Sequence, residues 1–293
     1  MPPNEVWTVG RLLQWTTDYL KRHDAESPRL DAEVLLADSL QCRRIELYTA
    51  FDQVPAAEKL AAFRDLVRRR AEGTPVAYLV GRREFYSLSF AVSPAVLIPR
   101  PETEFVVIAV LDLAKQNPRD RVIDICDVGT GSGAIAVSLA KHLPACRVLA
   151  LDVSVEALQV AAGNVASHSV SERVELLQSD LLAAVPADRQ FDFIVSNPPY
   201  VSESEAENLP ATVRDYEPRQ ALVAGPMGTE IIRHLIPVAA GRLRVGGHLL
   251  MEVSPMIHDA VIEMIAADER LEPASTIKDL SGLPRVVHAV RKV

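Results

Sequence analysis

Residues 121–143, "RVIDICDVGTGSGAIAVSLAKHL", decide the fold of this chain. An apolar run of strand length comes first, a cluster of glycines follows, and apolar residues then recur at helical spacing. Gly129, Gly131 and Gly133 permit a tight turn and let a ligand approach the backbone without a Cβ in the way. The run also satisfies a looser dinucleotide-binding pattern through Ala134, and a plain turn is the simpler alternative. The stretch therefore predicts a strand, a turn and a helix, and leaves the ligand open.

Strand and helix patterns alternate from about residue 105 to the end of the chain. Strands are predicted at 121–128, 147–152, 173–180, 191–196, 246–253 and 285–293, and helices at 132–143, 154–168, 229–243 and 256–268. This alternation is typical of a doubly wound, Rossmann-like α/β sheet.

Residues 1–75 contain only helical patterns. Thr8, Ser27-Pro28 and Pro55 each mark the start of a helix. The apolar faces predicted for the three helices are Leu12, Trp15, Tyr19 and Leu20, then Leu30, Val34 and Ala37, then Leu60, Phe63 and Val67. We expect a small helical bundle that forms a domain of its own.

Residues 76–104 join the two regions. The alternation in "FYSLSFAV", residues 85–92, predicts a β-hairpin, and three prolines follow it. The expected organisation is a helical domain at 1–75, a hairpin-containing linker at 76–104 and a Rossmann-like domain at 105–293.

Composition narrows the class of protein. The 293 residues are 48% hydrophobic, which is enough for two cores, and the net charge is −8 with a pI near 5.4. The acidic balance counts against a nucleic-acid substrate. Three scattered cysteines predict reduced thiols, and no membrane helix or signal peptide is expected, so we expect a cytoplasmic protein.

One dense basic cluster interrupts the acidic sequence. It consists of Arg64, Arg68, Arg69, Arg70, Arg82 and Arg83. A solvated helix end, favoured by the helix dipole, is the simpler interpretation, and a docking patch for an acidic or RNA-bound partner is the alternative.

Two carboxylates follow the next predicted strands. Asp152 ends the second strand, where a carboxylate can accept both hydroxyls of a ribose. Asp180 ends the third strand and can accept from the exocyclic amine of an adenine, with Leu181 as an apolar wall. Each aspartate is also a normal helix cap or loop residue. No Walker lysine, HExxH or GxSxG pattern is present, so neither a phosphate site nor a metal is expected.

The fourth strand runs into "FIVSNPPYVS", residues 193–202. The Asn197 side-chain oxygen and the Pro198 carbonyl can each accept one N–H of a planar –NH₂ group. Pro199 stiffens the turn, and Tyr200 can stack on the flat group behind it. This arrangement suits transfer of an electrophilic carbon to an unreactive nitrogen, for which S-adenosylmethionine is the fitting donor. No general base is needed before transfer.

These segments resemble the HemK/PrmC family of protein-(glutamine-N5) methyltransferases, which modify peptide chain release factors. The similarity covers almost the whole chain: "EFYSLSFAVSPAVLIPRPETE", "DVGTGSGAIAVSLA", "SNPPY", "DYEPRQAL" and "DLSGLPRVV" look like that family's successive blocks. The resemblance implies a class I S-adenosylmethionine-dependent methyltransferase fold with a small N-terminal helical bundle. S-adenosylhomocysteine would be the product.

The resemblance also implies roles for individual residues. The methionine and ribose parts of the cofactor would be held by Gly129, Thr130, Gly131, Ser132, Gly133 and Asp152. Asp180 and Leu181 would border the adenine, and Asn197 would lie near both ligands. The substrate amide, from the glutamine of the release factor GGQ motif, would be held by Asn197, Pro198, Pro199 and Tyr200. The helical domain would help to recognise the release factor, and a monomer is the expected state, without membrane or nucleic-acid partners.

Two positions depart from the family pattern. Ser254 stands where a glycine is expected after the strand, and Met227 stands where many relatives carry an acidic residue. Residues 201–225 are long for a loop and predict a lid that Glu217 pins. Arg100, Glu102 and Glu104 would line the cofactor mouth or tie the linker to the core.

Two rival functions remain open from the sequence. The first is an adenine or guanine N-methyltransferase acting on DNA or RNA, because a flipped base presents the same planar –NH₂. The second is a non-catalytic or NAD-binding Rossmann protein, which would leave the NPPY motif unexplained.

Overall fold

The computed structural model describes residues 6–116 and 121–293. Contacts divide the chain into two compact units, Met1–Arg82 with Pro210–Tyr216, and Arg83–Leu209 with Glu217–Val293. The first unit therefore extends past residue 75, and it includes a short segment from the second half of the sequence.

The first unit is helical. Its helices are α1 (Val9–Lys21), α2 (Pro28–Leu40), α3 (Arg44–Thr49), α4 (Ala57–Ala71) and α5 (Val76–Val80). Thr8 caps α1 as predicted, since its side chain accepts from the Arg11 backbone N–H at 3.3 Å. The sequence did not indicate α3 or α5.

The face predicted for α2 is only partly right, because Ala37 is buried but Leu30 is not. Leu30 is 43% exposed, whereas the fully buried apolar residues of α2 are Ala32, Leu35 and Leu36. The buried side of α2 also carries acids such as Asp31, which pairs with arginine from α4 at 2.8 Å. Because α2 packs against α1, α3, α4 and α5, it has no single apolar stripe for periodicity to detect.

The second unit contains the sheet. Its strands are β1 (Arg82–Phe85), β2 (Leu88–Ala91), β3 (Ile123–Val128), β4 (Cys146–Asp152), β5 (Val174–Gln178), β6 (Phe191–Ser196), β7 (Val201–Ser202), β8 (Val223–Gly225), β9 (Leu243–Glu252), β10 (Leu271–Pro273), β11 (Ile277–Lys278) and β12 (Pro284–Arg291). Its helices are α6 (Glu104–Gln116), α7 (Ala134–His142), α8 (Val155–Ser167), α9 (Glu203–Ala206), α11 (Glu230–Arg242) and α12 (His258–Ala267), and α10 (Ala211–Arg214) belongs to the first unit. The sequence did not indicate α6, β10 or β11.

The main sheet has the strand order β10-β12-β9-β6-β3-β4-β5. Strands β9, β6, β3, β4 and β5 are parallel, while β12 runs antiparallel to β9 and β10 runs antiparallel to β12. The chain moves outward from β3 through β4 and β5, then returns to β6 on the other side of β3. The switch point between β3 and β6 is where open α/β sheets bind ligands, at the carboxyl ends of the strands.

Both faces of the sheet are covered, which explains why its strands read as nearly continuous apolar runs. Ile125 and Phe193 belong to one core layer with α6 and α7, and Cys126 and Ile194 belong to the other with α11 and α12. The prediction of a doubly wound sheet is confirmed.

The predicted hairpin is present as β1 and β2. Tyr86 and Ser87 form its two-residue turn with φ of 49° and 59°. Positive φ at both central positions is typical of a type I′ turn, whose backbone twist matches that of the flanking strands. Asparagine and glycine are the usual residues at these positions. Glu104 supports the turn, because its Oε1 accepts from the Tyr86 N–H at 2.8 Å.

Residues 201–225, predicted to be a long loop that serves as a lid, contain regular structure. They contain the parallel pair β7–β8, the short helices α9 and α10, and a 3₁₀ turn at Arg219–Ala221. Cys42, Cys126 and Cys146 carry free thiols. None of the helices in the described part of the chain has the length and apolar character of a membrane span.

Candidate active site

A cleft opens at the carboxyl edge of the sheet, at the switch point. Val128 at the end of β3 pairs with Leu151 of β4 on one side and with Ser196 of β6 on the other. The segments that follow these three strands therefore begin side by side. The residues predicted for the site that line the cleft are Gly129, Thr130, Gly131, Ser132, Asp152, Asp180, Leu181, Asn197, Pro198 and Pro199.

The glycine loop after β3 has a backbone that only glycine adopts freely. Gly129, Gly131 and Gly133 have φ of 74°, 55° and 80°. A Cβ at Gly129 or Gly131 would meet nothing within 4 Å, so the backbone there faces open space. Gly133 is the one residue of the predicted loop that does not line the cleft, because it caps the start of α7 and packs against Ala161. The loop thus offers bare backbone to a ligand along its first half.

Asp127, which the sequence analysis did not single out, lies fully buried beneath this loop. Its Oδ2 accepts from the Thr130 hydroxyl at 2.7 Å and from the Ala136 N–H at 3.2 Å. Burial raises the pKa of Asp127 to about 7, and the charge of Asp152 adds to the shift. An acid next to the last residue of a largely apolar strand, Ile123–Val128, was the available signal in the sequence.

Asp152 lies at the end of β4, as predicted, and holds the loop. Its Oδ2 accepts from the Gly131 N–H at 2.8 Å and its Oδ1 from the Ser154 N–H at 3.0 Å. An ionised carboxylate has about four acceptor sites, so Asp152 keeps capacity for two further donors. Asp180 is exposed at the cleft, and Leu181 beside it has a φ of 47°, an uncommon conformation for a leucine.

Asn197 follows β6 directly and has one end of its amide fixed. Its Nδ2 donates to the Thr103 hydroxyl oxygen at 3.1 Å, which leaves Oδ1 as an available acceptor. Pro198 and Pro199 continue along the cleft. The arrangement places two acceptors, the Asn197 Oδ1 and the Pro198 carbonyl, in adjacent residues at the switch point.

Tyr200 lies beside the cleft and not in its lining. Its ring packs against the core layer that contains α11, and its hydroxyl donates to Glu252 Oε1 at 3.2 Å. Burial and the negative charge of Glu252 hold the pKa of Tyr200 well above its ordinary value. Burial also raises the pKa of Glu252, to about 7. Thr103 and Glu252 were not predicted, although Glu252 is the one acid in strand β9.

The residues expected to pin a lid or line the cofactor mouth make specific contacts. Glu217 is buried, and it accepts from the Ile98 N–H at 3.1 Å and from Arg100 Nη2 at 2.5 Å. Arg100 therefore binds Glu217 rather than lining the cleft. Glu104 supports the hairpin turn, so the simpler role foreseen for it, tying the linker to the core, applies. Glu102 does not line the cleft either.

Gly228 sits close behind the NPPY motif. Its φ is 76°, and a Cβ there would lie 2.7 Å from the Tyr200 carbonyl oxygen. The neighbouring Met227, one of the departures from the family pattern, is exposed, and its N–H donates to Glu230 at 2.8 Å. Glu230 thereby supplies a carboxylate at this turn.

Acidic neighbours neutralise much of the basic cluster. Arg68 binds Asp65 at 2.7 Å and Glu72 at 2.8 Å. Arg70 binds Asp31 at 2.8 Å, and Arg82 binds Asp38 at 2.6 Å. These contacts favour the simpler interpretation of the cluster over a docking patch.

Both the helical region and the sheet region of the chain match models of known protein families. Residues 11–81 match the PrmC N-terminal domain, and residues 109–213 match the methyltransferase small domain. The release factor glutamine methyltransferase of Rhodopirellula baltica is 52% identical over 96% of this chain and 95% of its own. That of Koribacter versatilis is 45% identical over 96% of this chain and 97% of its own.

Solved structures with the same fold are more distant in sequence. The hMettl16 catalytic domain, in complex with the MAT2A 3′UTR hairpin 6, superposes with a TM-score of 0.54 at 18% identity, covering 78% of this chain and 82% of that one. The Thermus thermophilus 16S rRNA methyltransferase RsmC gives a TM-score of 0.52 at 18% identity, covering 72% and 50%. At this identity the likeness concerns the fold alone, which is that of a class I methyltransferase.

Proposed function

The chain belongs to the release factor glutamine methyltransferase family, a group of S-adenosylmethionine-dependent methyltransferases, and from that premise we propose that it methylates the side-chain amide nitrogen of the GGQ glutamine in a peptide chain release factor. The observation that carries this proposal is the fixed amide of Asn197. Because Nδ2 is committed to Thr103, Oδ1 is left to accept an N–H from a ligand in the cleft.

The cleft has groups that fit S-adenosylmethionine. Bare backbone at Gly129 and Gly131 suits the close approach of the methionine part, together with Thr130 and Ser132, and Gly133 would hold the turn into α7 behind them. Spare acceptor capacity at Asp152 suits the ribose hydroxyls, and Asp180 with Leu181 suits the adenine. When bound, this cofactor would supply the electrophilic methyl group.

The protein's contribution to the reaction would be positioning and electrostatics. Asn197 Oδ1 and the Pro198 carbonyl would accept the two N–H bonds of the glutamine amide and aim the nitrogen lone pair across the cleft. Their dipoles would stabilise the positive charge that grows on nitrogen as the C–N bond forms and the C–S bond breaks. The electron pair of the broken bond would go to sulfur, giving S-adenosylhomocysteine, and the nitrogen would release one proton to solvent.

The same proposal assigns roles to the remaining parts of the chain. Tyr200 would support the motif, with its hydroxyl on Glu252 and its ring beside the substrate amide. The helical domain at 1–75 would contribute to release factor recognition, residues 76–104 would connect it to the catalytic domain at 105–293, and the protein would act as a cytoplasmic monomer.

A competition experiment tests the choice of substrate. The protein would be incubated with S-adenosylmethionine carrying a labelled methyl group, together with a purified release factor, DNA and RNA. We expect label only in the release factor, and none in a release factor in which the GGQ glutamine is replaced by alanine. Label in DNA or RNA would support the nucleic-acid alternative, and binding of NAD without S-adenosylmethionine would support the non-methyltransferase alternative.

A further inference from the structure

One buried polar side chain binds Asn197, and a second follows Met251, the residue of β9 that pairs with Ser196 of β6. Thr103, in the 3₁₀ turn Pro101–Thr103, is 4% exposed, and Glu252, at the end of β9, is 2% exposed. Both come from segments distant in sequence from β6. Asn197, Thr103 and Glu252 are here named the amide relay.

The hydrogen bond from Asn197 to Thr103 does not by itself define which way the amide faces. A threonine hydroxyl both donates and accepts, so it could bind either the NH₂ or the carbonyl end of an amide. It is held as an acceptor for Nδ2 only if its own proton is committed to another group. That group must accept and be unable to donate.

Glu252 has the required properties. An ionised carboxylate is an acceptor only. Its Oε1 takes the Tyr200 hydroxyl at 3.2 Å, while Oε2 is buried and has no hydrogen-bond partner among the described residues. The Thr103 hydroxyl neighbours this carboxyl and lowers its pKa, and no hydrogen bond of normal geometry joins the two groups. The unpartnered Oε2 is therefore the acceptor left for the Thr103 proton.

We propose that Thr103 and Glu252 are positioning residues that keep Asn197 Oδ1 presented to the substrate amide, with the Thr103 proton directed to Glu252 and Asn197 Nδ2 directed to Thr103. This inference rests on the proposed function, because the presented oxygen matters only if an amide or amine nitrogen binds there. Removing the Thr103 hydroxyl frees the Asn197 amide to turn its NH₂ toward the substrate, where it repels the substrate N–H.

The relay depends on the charge of Glu252. Burial and the nearby charge of Glu102 raise the pKa of this carboxyl, to about 7, while Thr103, Tyr200 and Arg285 act in the opposite direction. A protonated Glu252 can donate to Thr103, which then donates to Asn197 and reverses the relay. Methyl transfer should therefore fall on the acid side of neutrality, with Glu252 as the titrating group.

The experiment measures kcat and KM for a release factor at saturating S-adenosylmethionine, and S-adenosylhomocysteine affinity by calorimetry. Thr103→Val should lower kcat about tenfold or more, the cost of roughly one hydrogen bond, with cofactor affinity unchanged. Thr103→Ser, which keeps the hydroxyl, should restore most of the rate. Thr16→Val is the matched control, because Thr16 is another buried threonine and lies in α1.

A second variant reports on the carboxylate. Glu252→Gln should lower kcat and remove the acid limb of the pH–rate profile, which the wild type should retain. The double variant Thr103→Val with Glu252→Gln should be no slower than the slower single variant, because both changes interrupt one relay.

The outcomes separate this inference from the proposed function. A wild type that transfers no methyl to a release factor contradicts the proposed function. A wild type that is active, with Thr103→Val equally active, or with Thr103→Ser as slow as Thr103→Val, overturns the relay. Additive losses in the double variant would overturn it too. If Thr103→Val does not fold, the Glu252→Gln variant decides the question by itself. An acid limb that persists in its pH–rate profile overturns the relay.

Discussion

Asn197 shows how a functional side chain at the end of a strand depends on residues far away in sequence. Thr103 is 94 positions from Asn197, and Glu252 is 52 positions from the Tyr200 that it binds. The sequence predicted Asn197 itself, because its neighbours are two prolines and an aromatic. Thr103 and Glu252 could not be predicted, since only the tertiary fold brings their oxygen atoms to the NPPY motif.

Replacing Asn197 tests its role directly. Asn197→Ala removes one of the two acceptors proposed for the substrate amide and should lower the rate of methyl transfer about 100- to 1000-fold. Cofactor affinity, measured by calorimetry with S-adenosylhomocysteine, should stay close to the wild-type value. Equal losses of transfer and of cofactor affinity would instead assign Asn197 to the cofactor.

Asp152 should have the opposite profile. Asp152→Ala removes a carboxylate proposed for the ribose hydroxyls and the acceptor for the Gly131 N–H. Loss of such charge-assisted hydrogen bonds, about 1.5–3 kcal/mol, should weaken cofactor affinity about 10- to 100-fold. Asp188→Ala, at an exposed loop position, is the matched control. Unchanged affinity in Asp152→Ala would remove this residue from the cofactor site.

The secondary-structure elements that carry the site were largely predictable. Strands β3, β4, β6 and β9 combine long apolar runs with clear turn signals, because each is buried on both faces. The face of helix α2 was predicted only in part, because its buried side includes paired acids. The short strands β10 and β11 were missed because pairing with β12, and not local periodicity, defines them.

The backbone conformation of the β1–β2 hairpin turn can be tested through its effect on stability. Ser87→Gly should raise the free energy of unfolding by about 1 kcal/mol, because serine pays a steric cost at a φ of 59° that glycine avoids. The same replacement at Ser89, in the middle of β2, should lower that free energy by about 0.5–1 kcal/mol. Chemical denaturation of both variants gives the comparison. A stability change of the same sign in both would contradict the turn conformation.

For the molecule as a whole, a buried histidine pair between β9 and β12 links stability to pH. His248 Nδ1 lies 3.0 Å from His288 Nε2. Burial, with the charge of His248, lowers the pKa of His288 from 6.5 to about 4. As the pH falls, His288 gains a proton in the unfolded chain near pH 6.5 and in the folded protein only near pH 4. The stability contributed by neutral His288 is therefore present above pH 6.5 and is lost as the pH falls toward 4.

The expected loss between pH 7 and pH 5 is about 2 kcal/mol for this one group. Asp127 and Glu252, whose pKa values are raised to about 7, shift the pH dependence in the opposite direction. The comparison is therefore made between the wild type and His288→Gln by denaturation at both pH values. The stability advantage of the wild type should shrink by that amount at pH 5. An equal pH dependence in both proteins would contradict a neutral, buried His288.

The most direct test of the account is tandem mass spectrometry of a release factor after incubation with the protein and S-adenosylmethionine. The fold, the glycine loop and the amide of Asn197 together predict one added methyl group, on the side-chain nitrogen of the GGQ glutamine. A methyl group on another residue, or an unmodified release factor beside a methylated nucleic acid, would contradict the account.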